Sequence, residues 1–412
     1  MGKKIAVIGT LDTRGAEIEY LRDRIQERGH VATVIDIGVL GNVPFAPSFT
    51  RDAVAEAAGT SIKEIIALNH EGRALSAMAR GASVIVRNLY HDEELDGAVA
   101  AGGSMTTSTA LEIMAALPMG VPKLIVSTIA FSPLVKPDWV CADLAMMLWP
   151  AGLYGLNSIS CSVLDRAAGA IAGAAESFVR QTHRKKTVGI TSMGTSQLKY
   201  VTTLKPALEQ RGYDVAVFHC VGMGGKAFEQ AINDGLIDFA MDLALVELMD
   251  QVCGGATATS IGEERMETAG RKGIPQIVGA GAISNFFWFS GVPLPPQFKD
   301  RKHYRHNQLL TIVVAGTEEK TRLGELVAGK LNKATGPTTV VVPLVGSIEG
   351  DRNPKSPFHD PRGGEAFYQA LKGKLRADIQ VITLSAHVND QDFSDTVLSL
   401  FDDMREKSSS TV

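Results

Sequence analysis

Hydrophobic and polar positions fall into the same order twice along this chain. Lys3-Lys4 leads into the apolar run Ile5 to Ile8 and the polar turn Gly9-Thr10-Leu11-Asp12-Thr13-Arg14, and Lys185-Lys186 leads into Thr187 to Thr191 and Ser192-Met193-Gly194-Thr195-Ser196. A helical stretch follows each opening, then a glycine (Gly29, Gly212), then a second strand-like run at Ala32 to Ile35 or Asp214 to Phe218. Short apolar runs without alternation are strands buried on both faces, and a helix between two of them makes a right-handed βαβ unit. The pattern predicts an α/β protein of two Rossmann-like domains, residues 1–183 and 184–412, each a mostly parallel sheet flanked by helices.

Further strands are predicted at Gly97 to Ala100 and Leu124 to Val126 in the first half. In the second they fall at Phe239 to Leu243, Gln276 to Val278, Leu309 to Val314, Val340 to Pro343 and Ile379 to Leu384. Helices are predicted near Arg14 to Arg28, Ile62 to Tyr90 with a break around Asn69 to Gly72, Ser104 to Leu117, and Ser158 to His183. In the second half they fit Gln197 to Arg211, Gly225 to Asp234, Gly262 to Lys272, Glu318 to Thr335 and Gly363 to Lys374. Pro293 to Arg305, rich in proline and charge, reads as a surface loop.

Composition narrows the function classes. The chain has 412 residues, 45% hydrophobic and 21% charged, which is ample for two cores. A net charge of -4 with dispersed Lys and Arg gives no footprint for nucleic acid. The stretch Leu144 to Leu156 is broken by Pro150, Gly152 and Gly155, so no membrane span is expected, and Asp12 interrupts any signal-peptide core. The expected location is the cytoplasm. Cys141, Cys161, Cys220 and Cys253 form no Cys-x-x-Cys pair, and His303-Tyr-Arg-His306 lacks a carboxylate at ligand spacing, so no zinc site is expected.

Open parallel sheets bind ligands beyond the carboxyl ends of their strands, where strand order reverses. The loops after Ile8 and Ile190 are the first places to look. Thr10, Asp12, Thr13 and Arg14 lie where a strand hands over to a helix, so free N–H groups, hydroxyls and an arginine would meet an anion there. Gly102-Gly103-Ser104-Met105-Thr106-Thr107 is sharper: two glycines and then hydroxyls entering a helix would let a phosphate or carboxylate approach the backbone. Ser127 and Thr128, at the end of the next strand, would line the same crevice. Each of these also has an ordinary reading as a helix cap or turn. Val221-Gly222-Met223-Gly224-Gly225-Lys226-Ala227 lacks the first glycine and the magnesium-binding hydroxyl of a P-loop, yet remains a glycine-rich loop able to hold an anion. Glu247, His219, His306 and His387 lie near strand ends and are the candidates for acid/base catalysis, each with a structural alternative. Gly346 to Asp351 and Phe358 to Pro361 offer a mobile-looking connection or a magnesium contact.

At this point the residues resemble a known family. Thr10-Leu11-Asp12-Thr13, Asp36 to Gly41, Ala77 to Ala82, Gly102 to Ser104, Leu117 to Lys123 and Val126 to Thr128 are similar to the Tm-1-like ATP-binding family, UPF0261. In the second half Val217 to His219, Gly222 to Gly225, Glu247 to Asp250, Gly254-Gly255, Gly273 to Gln276, His306-Asn307 and His387 to Asp390 carry the same resemblance. The resemblance implies two Rossmann-like domains, ATP with magnesium, and a homodimer. It also implies substrate contacts at Gly222, Gly224, Gly225, Gly254, Gly255, Asn307, Asn389 and Asp390. The chain departs from the family pattern at Met105, at Phe131-Ser132-Pro133 and at Gly152, all in the expected first-domain pocket. The expected function is ATP binding coupled to chemistry on a small anionic metabolite at a cleft between the two domains. The alternatives are a nucleotide-responsive binder without turnover, or a first-domain pocket that takes a sugar acid or other anion instead of ATP.

Overall fold

The computed structural model describes residues 2–180 and 184–409, and the chain divides into two compact units, Met1–Thr182 and His183–Val412. Residues 181–183, where the sequence places the end of a long helix and the domain boundary, lie outside the described residues.

In the first unit β1 (Lys4–Gly9), β2 (Val31–Asp36), β3 (Gly97–Gly102), β4 (Lys123–Ser127) and β5 (Leu144–Leu148) form one sheet in the order β2-β1-β3-β4-β5. Every neighbouring pair is parallel. Alternate residues of β1 serve opposite cores: Ala6 and Ile8 face one core with Met78, Ala82 and Ile113, while Ile5 and Val7 face the other with Ile18, Leu21 and Ala168. Helices therefore cover both faces, which is why these strands read as unbroken apolar runs. The helical stretch after Ile62 is divided into Ile62–Ala67 and Glu71–His91, with Asn69 at a φ of 43° in the break. The helix Ser158–Ser177 ends before Phe178. Strand β5 and the helix Arg51–Ala57 are additions to the sequence reading.

The second unit begins with β6 (Thr187–Ser192), β7 (Asp214–His219), β8 (Phe239–Ala244) and β9 (Gln276–Gly281). The chain then makes a separate antiparallel sheet from β10 (Asn285–Phe289), β11 (His303–Arg305) and β12 (Leu310–Val314), in the order β10-β12-β11. It returns as β13 (Thr338–Pro343) and β14 (Gln380–Leu384) to complete a six-stranded parallel sheet, β14-β13-β9-β8-β6-β7. Read from β7, the order of second, first, third and fourth strand is that of the first unit. The repeat seen in the sequence is thus a repeat of topology, and both sheets are Rossmann-like.

Three expectations are corrected here, and two helices are added. Leu309 to Val314 is the centre of the antiparallel sheet and not a member of the parallel one. Pro293 to Arg305 is not all loop, because His303–Arg305 pairs with β12. Only Thr268–Arg271 of the predicted helix Gly262 to Lys272 is α-helical, the Gly262 end being set by a φ of 74°. Val246–Cys253 and Gln391–Ser409 are helices that the reading did not propose.

Candidate functional site

Strand order reverses between β1 and β3, so their outgoing loops separate and leave a crevice. A cleft of about 550 Å³ opens there. All five strands of the first sheet contribute to it: Thr10 to Arg14 after β1, Gly38 to Leu40 after β2, Gly103 to Thr106 after β3, Thr128 after β4 and Pro150 to Tyr154 after β5. Glu71 and Leu75, from the helix Glu71–His91, complete the wall.

Buried carboxylates set the loops. Asp36, at the end of β2, accepts from the Leu11 N–H at 3.1 Å and the Gly38 N–H at 2.9 Å, tying the first two loops together. Burial pushes its carboxyl up, against the lowering effect of those two N–H groups. Asp12 accepts from the Leu40 N–H at 2.6 Å. Arg51 donates to the carbonyls of Leu40 and Gly41, both at 2.8 Å. The Thr10 and Thr13 hydroxyls bond each other at 2.8 Å. Arg14 interrupts the helix Leu11–Gln26 with a φ of -133°, and its guanidinium lies 4.7 Å from the centre of the Tyr154 ring. Tyr154 is presented by a turn with Gly152 at a φ of 80° and Gly155 at 88°. The turn is pinned by Trp149 Nε1 to the Gly152 carbonyl, 2.6 Å, and by the Gly155 N–H to Glu17, 2.7 Å.

Eight of the eleven first-unit candidates line this cleft: Thr10, Asp12, Thr13 and Arg14 on one wall, Gly103, Ser104, Thr106 and Thr128 on another. The remaining three lie behind it. A side chain at Gly102 would press into Thr106, and the buried Thr107 hydroxyl bonds Ser127 at 2.8 Å and the Gly103 carbonyl at 2.8 Å. Of the departures from the family pattern, Met105 and Gly152 are on the wall. Phe131 is not; it is 76% exposed, in a turn after β4 with a φ of 61°. Glu71 on the wall, and Asp36 and Arg51, which hold the wall loops from behind, are residues that the sequence reading did not single out for a role. Only the aspartate had a signal, its place at the end of the second strand-like run.

The second-unit candidates belong to separate settings. Glu247 is fully buried and accepts from the N–H groups of Gly222 and Gly225, each at 3.1 Å. It also receives Arg265 Nε at 3.1 Å. Arg265, itself fully buried, pairs as well with Asp242 and with Glu229 at 3.7 Å. Burial pushes Glu247 and Glu229 up while Arg265 pulls them down. Two N–H groups that could have cradled an external anion in this glycine loop are therefore already held by an internal carboxylate. Gly224 packs on the His219 carbonyl, Gly254 ends the helix Val246–Cys253 at a φ of 66°, and Gly255 would place a side chain 2.6 Å from the Asp250 carboxyl carbon.

His387 is fully buried. Its Nδ1 accepts from the Asn389 N–H at 3.0 Å, so Nε2 is the donor toward the Ile348 carbonyl at 2.9 Å and Asp351 at 3.0 Å. Asp351 is held below its ordinary range: burial raises it, and the His387 and Ser347 hydrogen bonds outweigh that. Asp390 accepts from the His387 N–H and from Arg352, and Asn389 donates to Ser196 and Glu349. Asn307 shapes the turn into β12, accepting from Leu309 and Leu310, with the exposed His306 beside it. His219 is exposed at the end of β7. Among the described residues no hydrogen bond or ion pair joins any two of Glu247, His219, His306 and His387. No group of three or more His, Cys, Asp or Glu with metal-holding geometry occurs among them either.

Fold and cleft together define a two-domain Rossmann-like α/β protein with an open crevice at the switch point of its first sheet. The chain belongs to the uncharacterised protein family UPF0261, whose N-terminal domain matches residues 3–181 and whose C-terminal domain matches residues 185–405. It is 41% identical over 399 residues to a UPF0261 protein of Brucella suis, covering 97% of this chain and 95% of that one. A UPF0261 protein of Clostridium tetani is 33% identical, covering 99% of this chain and 100% of its own. The ToMV resistance protein Tm-1(GCR237) of Solanum lycopersicum is 27% identical over 98% of this chain and 56% of its own length. No helix among the described residues is long and apolar enough to cross a membrane.

Proposed function

We propose that this protein binds an anionic small molecule in the first-unit cleft, and that a magnesium-bound nucleotide, the ligand its family resemblance implies, is the first to test. One observation carries the reading. The helix Ser104–Ala115 starts at Gly103 with no side-chain cap, and a Cβ added at Gly103 would meet nothing closer than Thr128 Oγ1 at 3.9 Å. The first turn therefore borders open cleft at the switch point, where the N-terminal end of a helix suits an anion.

The lining fits the nucleotide's parts. Ser104, Thr106 and Arg14 would hold phosphate oxygens, and Asp12 and Glu71 are the carboxylates available to magnesium. The metal would neutralise phosphate charge. Calorimetry of the full chain with ATP and magnesium tests the reading: saturable binding that Gly103→Val abolishes supports it, and equal binding by both proteins removes this loop from the site.

Binding without turnover is favoured over catalysis by the burial of Glu247 and His387, whose polar atoms are committed within the protein. Turnover on a small anionic metabolite is the second reading, and His219 favours it. That side chain is exposed at a strand's carboxyl end with no ring hydrogen bond among the described residues. His219→Ala should then spare binding and abolish turnover; retained turnover would assign His219 to structure. By the same family resemblance the working form is proposed to be a cytoplasmic homodimer.

A further inference from the structure

The charges lining the first-unit cleft are few and unbalanced. Among the described residues Arg14 is its single lining cation, and Asp12 and Glu71 are its carboxylates. Arg14 makes no ion pair among the described residues; its guanidinium donates to the Thr13 carbonyl at 3.2 Å and is otherwise cushioned by the Tyr154 ring. Glu71 is exposed to the cleft, with no hydrogen bond or ion pair among the described residues. Asp12 accepts from the Leu40 N–H through one oxygen, and the other has no hydrogen bond among the described residues. Thr106 is only 6% exposed, and its hydroxyl lacks a partner among the described residues.

A guanidinium only donates and an ionised carboxylate only accepts. The ligand that satisfies this wall offers one anionic group to Arg14 and hydroxyl donors to Asp12 and Glu71. A triphosphate offers the reverse balance: several negative charges for one arginine, no lysine, and two carboxylates that repel it unless a cation intervenes. Arg14 is also the side chain best matched to a planar carboxylate, which it can engage through two parallel hydrogen bonds. Leu75, Met105 and Leu153 supply apolar surface for the carbon skeleton.

Resting on the anion-cleft reading above, we infer that the cleft selects a polyhydroxylated carboxylic acid of sugar size. The carboxylate sits between Arg14 and the first turn of the helix Ser104–Ala115, and the hydroxyls bond Asp12, Glu71 and Thr106. Tyr154 fixes the guanidinium plane.

The test is calorimetry of the full-length protein against a panel of four- to seven-carbon aldonates and uronates, with glucose, acetate, and ATP plus magnesium as separate titrants. The expected result is that a panel acid binds while glucose and acetate bind on the order of tenfold more weakly or not at all. Arg14→Gln should lose that acid by on the order of tenfold or more, and Glu71→Gln should weaken it. Tighter binding of ATP with magnesium than of every acid, abolished by Gly103→Val, overturns the ligand class and leaves the anion cleft standing. Failure of every titrant overturns both. Acid binding unchanged in Arg14→Gln and Glu71→Gln also overturns the inference.

Discussion

Gly102 and Gly103 are neighbours in the sequence with different roles. A side chain at Gly102 would drive into Thr106, whereas one at Gly103 would point into open cleft at a φ of -80° that any residue adopts. Gly103→Val is therefore expected to keep the melting temperature and lose the ligand. Gly102→Ala is expected to lower the melting temperature, a comparison that thermal unfolding makes directly. Thr106 and Thr107 diverge likewise: adjacent helical residues lie about 100° apart, so one hydroxyl lines the cleft while the other turns toward Ser127. The run of hydroxyls was legible in the sequence, but which of them reach a ligand was not, because that depends on the rotation of one helix.

Asp250 carries a residue-scale prediction about pH. Burial pushes its carboxyl up to about 7, outweighing hydrogen bonds from the Phe287 N–H and from Thr257. The unfolded value is about 4, so the folded state binds the extra proton. This contribution to stability is full below about pH 4 and is lost as pH rises through about 7. Urea unfolding at pH 5 and pH 8 should show the wild type losing stability that Asp250→Asn does not lose. Parallel profiles would show that Asp250 does not titrate in this window.

Among the elements, the glycine loop after β7 depends on charges that no local pattern reveals. Glu247 holds the loop's N–H groups, and Arg265 holds Glu247, Asp242 and Glu229 from a segment the sequence suggested was merely helical. Glu247 was legible as a candidate. Its commitment to the protein interior was not, since its partner arrives from another part of the chain. Arg265→Met should leave three buried carboxylates without a counter-charge and cost about 3–5 kcal/mol in chemical unfolding. A loss below about 1 kcal/mol would contradict the view that Arg265 is the counter-charge holding this cluster. The central parallel strands were readable because burial on both faces leaves unbroken apolar runs. Strand β5 was not, because Leu144–Leu148 is a half-exposed edge, and β11 was not, because its three exposed residues pair only with β12.

At the scale of the whole molecule, one strand order is used twice and elaborated differently. The first unit opens a cleft at its switch point. In the corresponding loops of the second unit, Glu247 fills the glycine turn, and Gln197 accepts from the Met193 N–H while donating to the Ser347 carbonyl. Edge strand β5 contains no charge or proline, and its Leu148 is 46% exposed. Such an edge is open to pairing. The proposed homodimer is expected in sedimentation velocity at micromolar protein, with Leu148→Lys shifting it to monomer. A wild-type monomer across that range would contradict it.

The most direct measurement is calorimetry of wild type and Gly103→Val, titrated in parallel with ATP plus magnesium and with the sugar-acid panel. The account predicts a saturable, single-site signal from at least one anion in the wild type and none in a variant of unchanged melting temperature. Equal binding by both proteins, or no binding of any anion by the wild type, would contradict it.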